Sequence, residues 1–518
     1  MKFSIFFKKY WLLFLIIFLA FILRVYRIEE LFYFTYDESV PAFVGRRLVL
    51  FHHIPLIGGV TPFGVHLAPY FYLLSAILLG LGGLNPVIWG WAGAVLAMVT
   101  TLMVYLVGRE IKDKKLGMVA AGLWSFSYLA NVYDRHFWAL YWGPLLSVIA
   151  IYSLLKIIKG KEKFVYLIAI SLAFGIHADL SNYTILILAV ISWVVFKIKI
   201  QKSTFIAIGI IILSFLPLLI FDLKHDFANI KPGISHFTES KGDGGSFSLN
   251  LLVDNTLIFP RTFVRLLYPF GFNEISLDYT YCLNYIKDRD QTVPIVFVLI
   301  ALIILIGFIY KSLKEKNNGL KIIALLILIY FVGICIYGLV LHNPVYEHYI
   351  TGLFPVFLMI AALIIYKLPI KILVLIFSIF IFLNVSKFWV TENSMGLKVK
   401  KEAINYTLEQ VKDREFSLDS LSTCWKYNGY RYLFSVFGKD PAKSYVDPTL
   451  AYLYEDKPVA GKHPEIVAAF VVDDINPETE EFYKRLELLK LHSISSQKFG
   501  RIEVLILDNK TGWFDETN

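Results

Sequence analysis

The connections between the apolar runs of this chain alternate in charge. One set is short and basic: Lys2, Lys8 and Lys9; Arg109 with Lys112, Lys114 and Lys115; Lys156, Lys159, Lys161 and Lys163; Lys197, Lys199 and Lys202; Lys311, Lys314, Lys316 and Lys321; Lys367 and Lys371. The set between them holds Asp37, Glu38, Asp134, Asp179, Asp222 and Glu347. Cytoplasmic loops collect Lys and Arg, so the basic set marks the inner side of a membrane and the acidic set the outer side. A chain built this way is confined to a polytopic helical fold with its carboxylates gathered on one face.

Composition agrees. Of 518 residues, 57% are hydrophobic and 16% aromatic, with mean hydropathy +0.62, against an apolar share of roughly 45–50% in soluble proteins. The cytoplasmic loops account for the net charge of +9, so no nucleic-acid partner is called for. The three cysteines, Cys282, Cys335 and Cys424, have no CxxC spacing and suggest neither a disulfide framework nor a zinc site. Cys282 and Cys424 fall on the outer side, either paired or as two free thiols.

A spanning helix needs about 20 mainly apolar residues. Eleven segments qualify, near 10–28, 86–108, 116–132, 137–158, 164–178, 183–199, 204–222, 293–310, 322–341, 349–366 and 370–388. A twelfth apolar stretch, His66 to Leu81, would invert every later loop if it crossed. As a juxtamembrane or re-entrant helix on the outer face, it keeps all the basic loops inside. The first segment lacks a small-residue cleavage site and is followed by Arg24 and Arg27, so it reads as an anchor.

Residues 1–388 form the membrane region, with outer loops at 29–85 and 223–292; the second contains a Gly242-Asp243-Gly244-Gly245 turn. Residues 389–518 read as a small extracytoplasmic α/β domain. In it Ala403, Ile404, Leu408 and Val411 recur at helical spacing, and Ile466 to Val472 and Ile502 to Leu507 read as buried strands.

Asp37-Glu38 lies within about ten residues of the first span. A carboxylate there can serve as a general base or bind a hard cation, or the pair can be an ordinary solvated turn. The surrounding motifs favour function. Leu23-Arg24-Val25-Tyr26-Arg27, Tyr36-Asp37-Glu38 and Gly45-Arg46-Arg47 come in that order. Val107-Gly108-Arg109-Glu110, Tyr133-Asp134-Arg135 and Gly175-Ile176-His177 before Asn182-Tyr183-Thr184 follow, then Glu347-His348-Tyr349 before Phe354-Pro355. The series, over roughly residues 10–370, resembles the GT-C glycosyltransferases. The branch is the bacterial one of protein O-mannosyltransferases and aminoarabinose transferases (glycosyltransferase family 39-like).

The resemblance implies a plasma-membrane enzyme that takes a sugar from a polyprenyl-phosphate donor and passes it, with inversion, to a protein, glycan or lipid acceptor on the outer face. It implies Asp37 as the general base, within about 2.6–3.2 Å of the proton it takes, and Glu38 as an acceptor or cation ligand or a structural acid. Arg135 would grip the phosphate, since a guanidinium forks onto its oxygens; the other reading is a snorkelling helix-end arginine. Asp134 would complete a Mg or Mn site with Asp37, or pair with Arg135. His177 and Asp179 would lie near the donor, or cap a helix. Glu347 and His348 would touch the lipid phosphate.

Rival classes remain. A transporter of cell-envelope glycans should hold ionisable residues near the bilayer midplane, and the spans carry almost none. A polymerase or ligase using the same lipid carriers also gathers charge outside, but the acidic pair directly after the first span separates it. A non-catalytic assembly protein would work through the C-terminal domain and would need only one anchor.

Overall fold

The computed structural model describes residues 2–239, 248–270, 292–341, 344–422, 429–454, 459, 461–472 and 480–516. The glycine turn at 242–245, Cys282 and Cys424 lie outside them. The described chain is mostly helical. Seven of its helices are long and apolar enough to cross a membrane, among them Val87–Ile111, Ile295–Lys314 and Ile370–Val390. Three of the other expected spans, at 116–132, 164–178 and 183–199, are shorter helices. Phe164–Ala178 has 15 residues, roughly 22 Å of helix. The stretch expected at 116–132 breaks at Ser127, whose extended backbone separates Lys114–Phe126 from Tyr128–Arg135. Polar side chains serve the break: Asn384 Oδ1 accepts the Tyr128 N–H at 2.9 Å, and Asn131 Nδ2 donates to the Ser125 and Ser127 carbonyls. Broken helices survive inside a membrane protein when neighbours satisfy the freed backbone in this way.

Helix α1 (Lys2–Val25) ends at a level that α5 (Val87–Ile111) shares. Arg24 at the end of α1 binds Asp134, and Gly93 near the start of α5 packs so tightly on the Asp134 carbonyl that a Cβ would collide with it. The intervening α2 (Ile28–Leu31), α3 (Tyr36–Phe51) and α4 (Tyr70–Leu81) therefore lie on one face. At 12 residues, α4 reaches only about 18 Å and is too short to span.

Within the expected second outer loop sits a helix, Leu249–Leu267, that hydropathy does not reveal. Asp254, Asn255, Arg261 and Arg265 mask it, yet Ile258, Phe259, Thr262, Phe263 and Leu266 recur at helical spacing and are buried. It packs against Ile295–Lys314 and Asn318–Leu341.

After the last apolar helix, residues 397–516 combine helices with a five-stranded sheet. Its strands are β1 (Ser417–Leu421), β2 (Lys443–Ser444), β3 (Ile466–Val472), β4 (Ser493–Phe499) and β5 (Ile502–Asp508), in the order β2-β1-β3-β5-β4. β1 runs parallel to β2 and β3; β5 runs antiparallel to β3 and β4. Strand alternation gives β3 two partners. Val467, Ala469 and Val471 face a small core with Phe482, Leu489 and Phe514. Ile466, Ala468, Phe470 and Val472 join a core that continues into the first outer loop through Phe32, Phe34 and Phe43 and into α5 through Trp89. The C-terminal region and the start of α3 are thus packed as one apolar unit.

Candidate active site

The N-terminus of α3 separates two adjacent acids. Thr35, in extended conformation, is the N-cap; its N–H donates to Glu38 Oε2 at 2.8 Å and its hydroxyl donates to the same oxygen at 2.5 Å. The other oxygen of Glu38 pairs with the His136 imidazole, whose Nδ1 meets the Tyr141 hydroxyl at 2.9 Å. This is a capping box. Burial works to raise the Glu38 carboxyl, but His136 and Thr35 outweigh it and hold the group below the usual carboxylate range. Glu38, expected as a possible acceptor or cation ligand, has both oxygens occupied within the fold.

Asp37, one residue earlier and 100° around the helix, turns outward to a cavity of about 920 Å³. It is exposed on the wall of that cavity, with protein packed densely enough around it to strip part of its hydration. The loss of hydration and then the charge of Glu38 push it up to about 6, against the opposing influence of His136. The same helical face continues with Val40, Pro41, Val44 and Arg47. Arg47 is the only lysine or arginine among the described residues lining the cavity. Ten residues separate it from Asp37, about 15 Å along the axis.

A hairpin at 57–67 forms the next wall. Thr61 N–H donates to Val65 O at 2.8 Å and Leu67 N–H to Gly59 O at 2.9 Å, with Gly64 at positive φ in the tip. Asn229 holds it from outside, accepting the His66 N–H at 2.6 Å and donating to the His66 carbonyl at 3.2 Å. Asp222 fixes Asn229 in turn by accepting its N–H at 2.8 Å.

The far wall brings His177, Asp179, Tyr330, Tyr337, His348 and Tyr349 together. Asp179 Oδ1 accepts the Ser181 N–H at 2.7 Å, and burial raises its carboxyl against that bond. His177 Nδ1 accepts the Ala68 N–H at 3.4 Å, leaving Nε2 to donate to Ser214 Oγ at 2.9 Å. His348 lies 5.0 Å from Trp138 and 4.5 Å from Tyr349, ring to ring, in an aromatic wall. Thr449, Leu450, Tyr452 and Leu453, from the C-terminal region, also line the cavity.

Of the residues singled out from sequence, Asp37, His177, Asp179 and His348 meet in this cavity; Glu38, Asp134, Arg135 and Glu347 do not line it. Asp134 Oδ2 accepts from both Nε (2.9 Å) and Nη2 (2.7 Å) of Arg24, not from Arg135. Arg135 is sealed in the protein. Its Nε donates to the Arg24 carbonyl at 3.1 Å, its Nη2 to those of Leu23 and Tyr26, and Phe388 lies under the guanidinium at 4.6 Å. That geometry leaves no approach for a phosphate. Glu347 binds Arg265 Nη1 at 2.6 Å and accepts from the Tyr133 hydroxyl at 3.2 Å. Arg47, Tyr330 and Tyr337 were missed as site residues. Helical spacing from Asp37 would have found Arg47, and the seven-residue interval places the two tyrosines on one face.

The chemistry of the donors does not fit the expected Asp37–Asp134 cation site, because Asp134 is held by Arg24. Among the described residues no three His, Cys, Asp or Glu converge as metal ligands.

No family model matches this chain, and no curated protein does. Among solved structures it is similar to the oligosaccharyltransferase of Archaeoglobus fulgidus in its apo form, with TM-score 0.50 and 13% identity, covering 92% of this chain and 71% of that one. The archaeal enzyme in complex with an inhibitory peptide and a dolichol-phosphate gives TM-score 0.47 at 13% identity, covering 96% and 74%. ArnT from Cupriavidus metallidurans bound to undecaprenyl phosphate gives 0.41 at 8%, covering 95% and 97%. The likeness to the apo oligosaccharyltransferase establishes a shared fold. The structural neighbours of this chain are GT-C glycosyltransferases, and it has their fold.

Proposed function

We propose that this protein transfers a sugar from a polyprenyl-phosphate donor to an acceptor at the outer face of the plasma membrane, with inversion. In this reading the N-terminus is cytoplasmic and residues 389–518 are extracytoplasmic. The observation that carries the proposal is Asp37: a carboxylate raised to about 6, open to a large cavity, with a guanidinium farther along the same helical wall.

Asp37 takes the proton of the acceptor nucleophile as its heteroatom attacks the anomeric carbon. The bond from that carbon to the phosphate oxygen breaks, and the electron pair leaves with the polyprenyl phosphate. A base with a pKa near the working pH combines availability with driving force. Arg47 offsets the charge growing on the leaving phosphate, a role that sequence reading gave to Arg135. The roughly 15 Å of helix between the two leaves room for a sugar with its phosphate. Tyr337, Tyr349 and Asp179 offer hydroxyls and a carboxylate for sugar hydroxyls, and the Trp138–His348 wall offers ring faces. Any cation would need donors beyond Asp37, and no step here runs through one.

The test is transfer from radiolabelled polyprenyl-phosphate sugars, in membranes holding wild-type or Asp37→Asn protein, with and without EDTA. Label should reach the acceptor fraction only with the wild type. Undiminished transfer by well-folded Asp37→Asn protein would overturn the base assignment.

A further inference from the structure

Residues 32–35, which lead into α3, are clamped by the C-terminal region at three points. Leu397 N–H donates to the Phe32 carbonyl at 3.2 Å. Lys400 Nζ donates to the Phe34 carbonyl at 2.5 Å. Gly429, at φ +74°, lies where an added Cβ would stand 2.8 Å from the Phe34 ring and 3.1 Å from the Thr35 carbonyl. Lys400 and Gly429 together enclose the carbonyl and ring of the residue just before the N-cap.

Lys400 is the unusual member. It is 1% exposed, its Nζ stands 5.3 Å from the centre of the Tyr430 ring, and burial brings its amine down to about 7 despite the favourable charge of Glu38. A buried amine is costly unless its donors and charge are used. Here they are directed at the turn that orients α3: one donor holds Phe34, the next residue caps the helix, and Glu38 closes that cap. Asp37 sits between the two capping partners, so any movement of Phe34 or Thr35 moves it.

We infer that Lys400 is a positioning residue for Asp37, by which the C-terminal region fixes the start of α3 and aims the carboxylate into the cavity. Lys400 does not line the cavity; it acts through Phe34, Thr35 and Glu38. This rests on the proposed role of Asp37 and adds that the C-terminal region is part of the catalytic geometry.

The test uses the purified full-length protein as wild type, Lys400→Met, Lys400→Arg and Asp37→Asn, measuring kcat, donor KM and the pH dependence of kcat/KM. Methionine fills similar volume without charge or donor. Lys400→Met should lose roughly 10- to 100-fold in kcat, the scale of a small misplacement, with donor KM within about twofold. Its acid limb should also move, because a displaced Asp37 changes its distance from Glu38 and His136, the charges that bear on its ionisation. Lys400→Arg should recover the wild-type limb. A uniform loss at every pH, an unchanged kcat, or a Lys400→Met chain that cannot be recovered folded would each overturn the inference by giving Lys400 a purely structural role or none. Full activity in Asp37→Asn would instead remove the base itself, a failure seen independently of either Lys400 variant.

Discussion

Asp37 and Asp134 carry the same side chain on the same face of the molecule, and the structure uses them in opposite ways. Asp37 begins α3 and looks into a cavity of about 920 Å³. Asp134 ends Tyr128–Arg135 and is closed off by Arg24, which is itself fully buried. The charged groups of this face thus form two populations, one lining space and the other bracing helices. Arg24–Asp134 ties the end of α1 to the end of Tyr128–Arg135, and Arg265–Glu347 ties Leu249–Leu267 to the start of the Glu347–Ile365 segment. A carboxylate locked by a guanidinium has little freedom to take a proton, whereas one that faces open cavity space does.

Separate variants split the two populations most sharply. Asp37→Asn should cost about 10²- to 10⁴-fold in transfer, the span of general-base catalysis, and leave the thermal unfolding of detergent-purified protein where it was. Asp134→Asn should do the reverse. Removing one partner of a buried ion pair costs about 3–5 kcal/mol, so the unfolding transition should fall by many degrees while the folded fraction keeps its specific activity. If both variants were stable and inactive, the bracing role of Asp134 would have to be abandoned.

Arg135, expected at the phosphate from sequence, and Arg47, which takes that role in the proposed function, extend the comparison with a smaller effect. Arg47→Ala should raise donor KM or lower kcat/KM by about 10- to 100-fold, the range of a charge-assisted hydrogen bond of roughly 1.5–3 kcal/mol. Arg135→Met should lower the yield of folded protein and spare donor KM. A KM effect confined to Arg135→Met would return the phosphate to that residue. Asp37 also sets a pH test. Because the carboxyl is raised to about 6 and only its ionised form accepts a proton, kcat/KM should be level above that pH. Below it, the rate should fall by about tenfold per unit, with the Asp179→Asn variant keeping the same midpoint.

These contrasts mark what the residues reveal by themselves. Apolar length found seven helices long enough to cross a membrane, and charge alone decided the reading of His66 to Leu81, where the structure has the 12-residue α4. The order of short motifs pointed to the fold. What failed was the direction in which a polar side chain faces. Asp134-Arg135 reads as a pair, but consecutive residues on a helix diverge by about 100°, so each found a different partner: Arg24 for one, backbone carbonyls for the other. Glu38 offers no signal of its own that His136, 98 residues away, completes it. The Leu249–Leu267 helix escaped for a related reason: Arg265, partner of Glu347 within the core, counts against a membrane helix in any hydropathy sum. Where two charges cancel across distant segments, sequence shows each as unpaired.

The smallest effect comes from the neighbouring lysines of helix Leu397–Val411. Lys398 and Lys400 both reach back to the first outer loop. Lys398 Nζ lies 3.1 Å from Glu30 Oε1 with about half its side chain exposed; Lys400 is buried on the Phe34 carbonyl. Glu30 is also held by Arg27, whose hydrogen bond is the main reason its carboxyl lies below the ordinary range. Losing Lys398 therefore leaves Glu30 paired. Exposed pairs of this kind are worth about 0–1 kcal/mol before salt screening, so Lys398→Ala should change neither the unfolding transition nor kcat within error. The comparison with Lys400→Met holds the helix, the charge type and the loop constant and varies burial together with the acceptor, a carboxylate for Lys398 and a backbone carbonyl for Lys400. If Lys398→Ala impaired transfer as strongly as Lys400→Met, the effect would belong to the docking of the whole helix on the loop, and the distinction between buried and exposed contacts would fail at this interface.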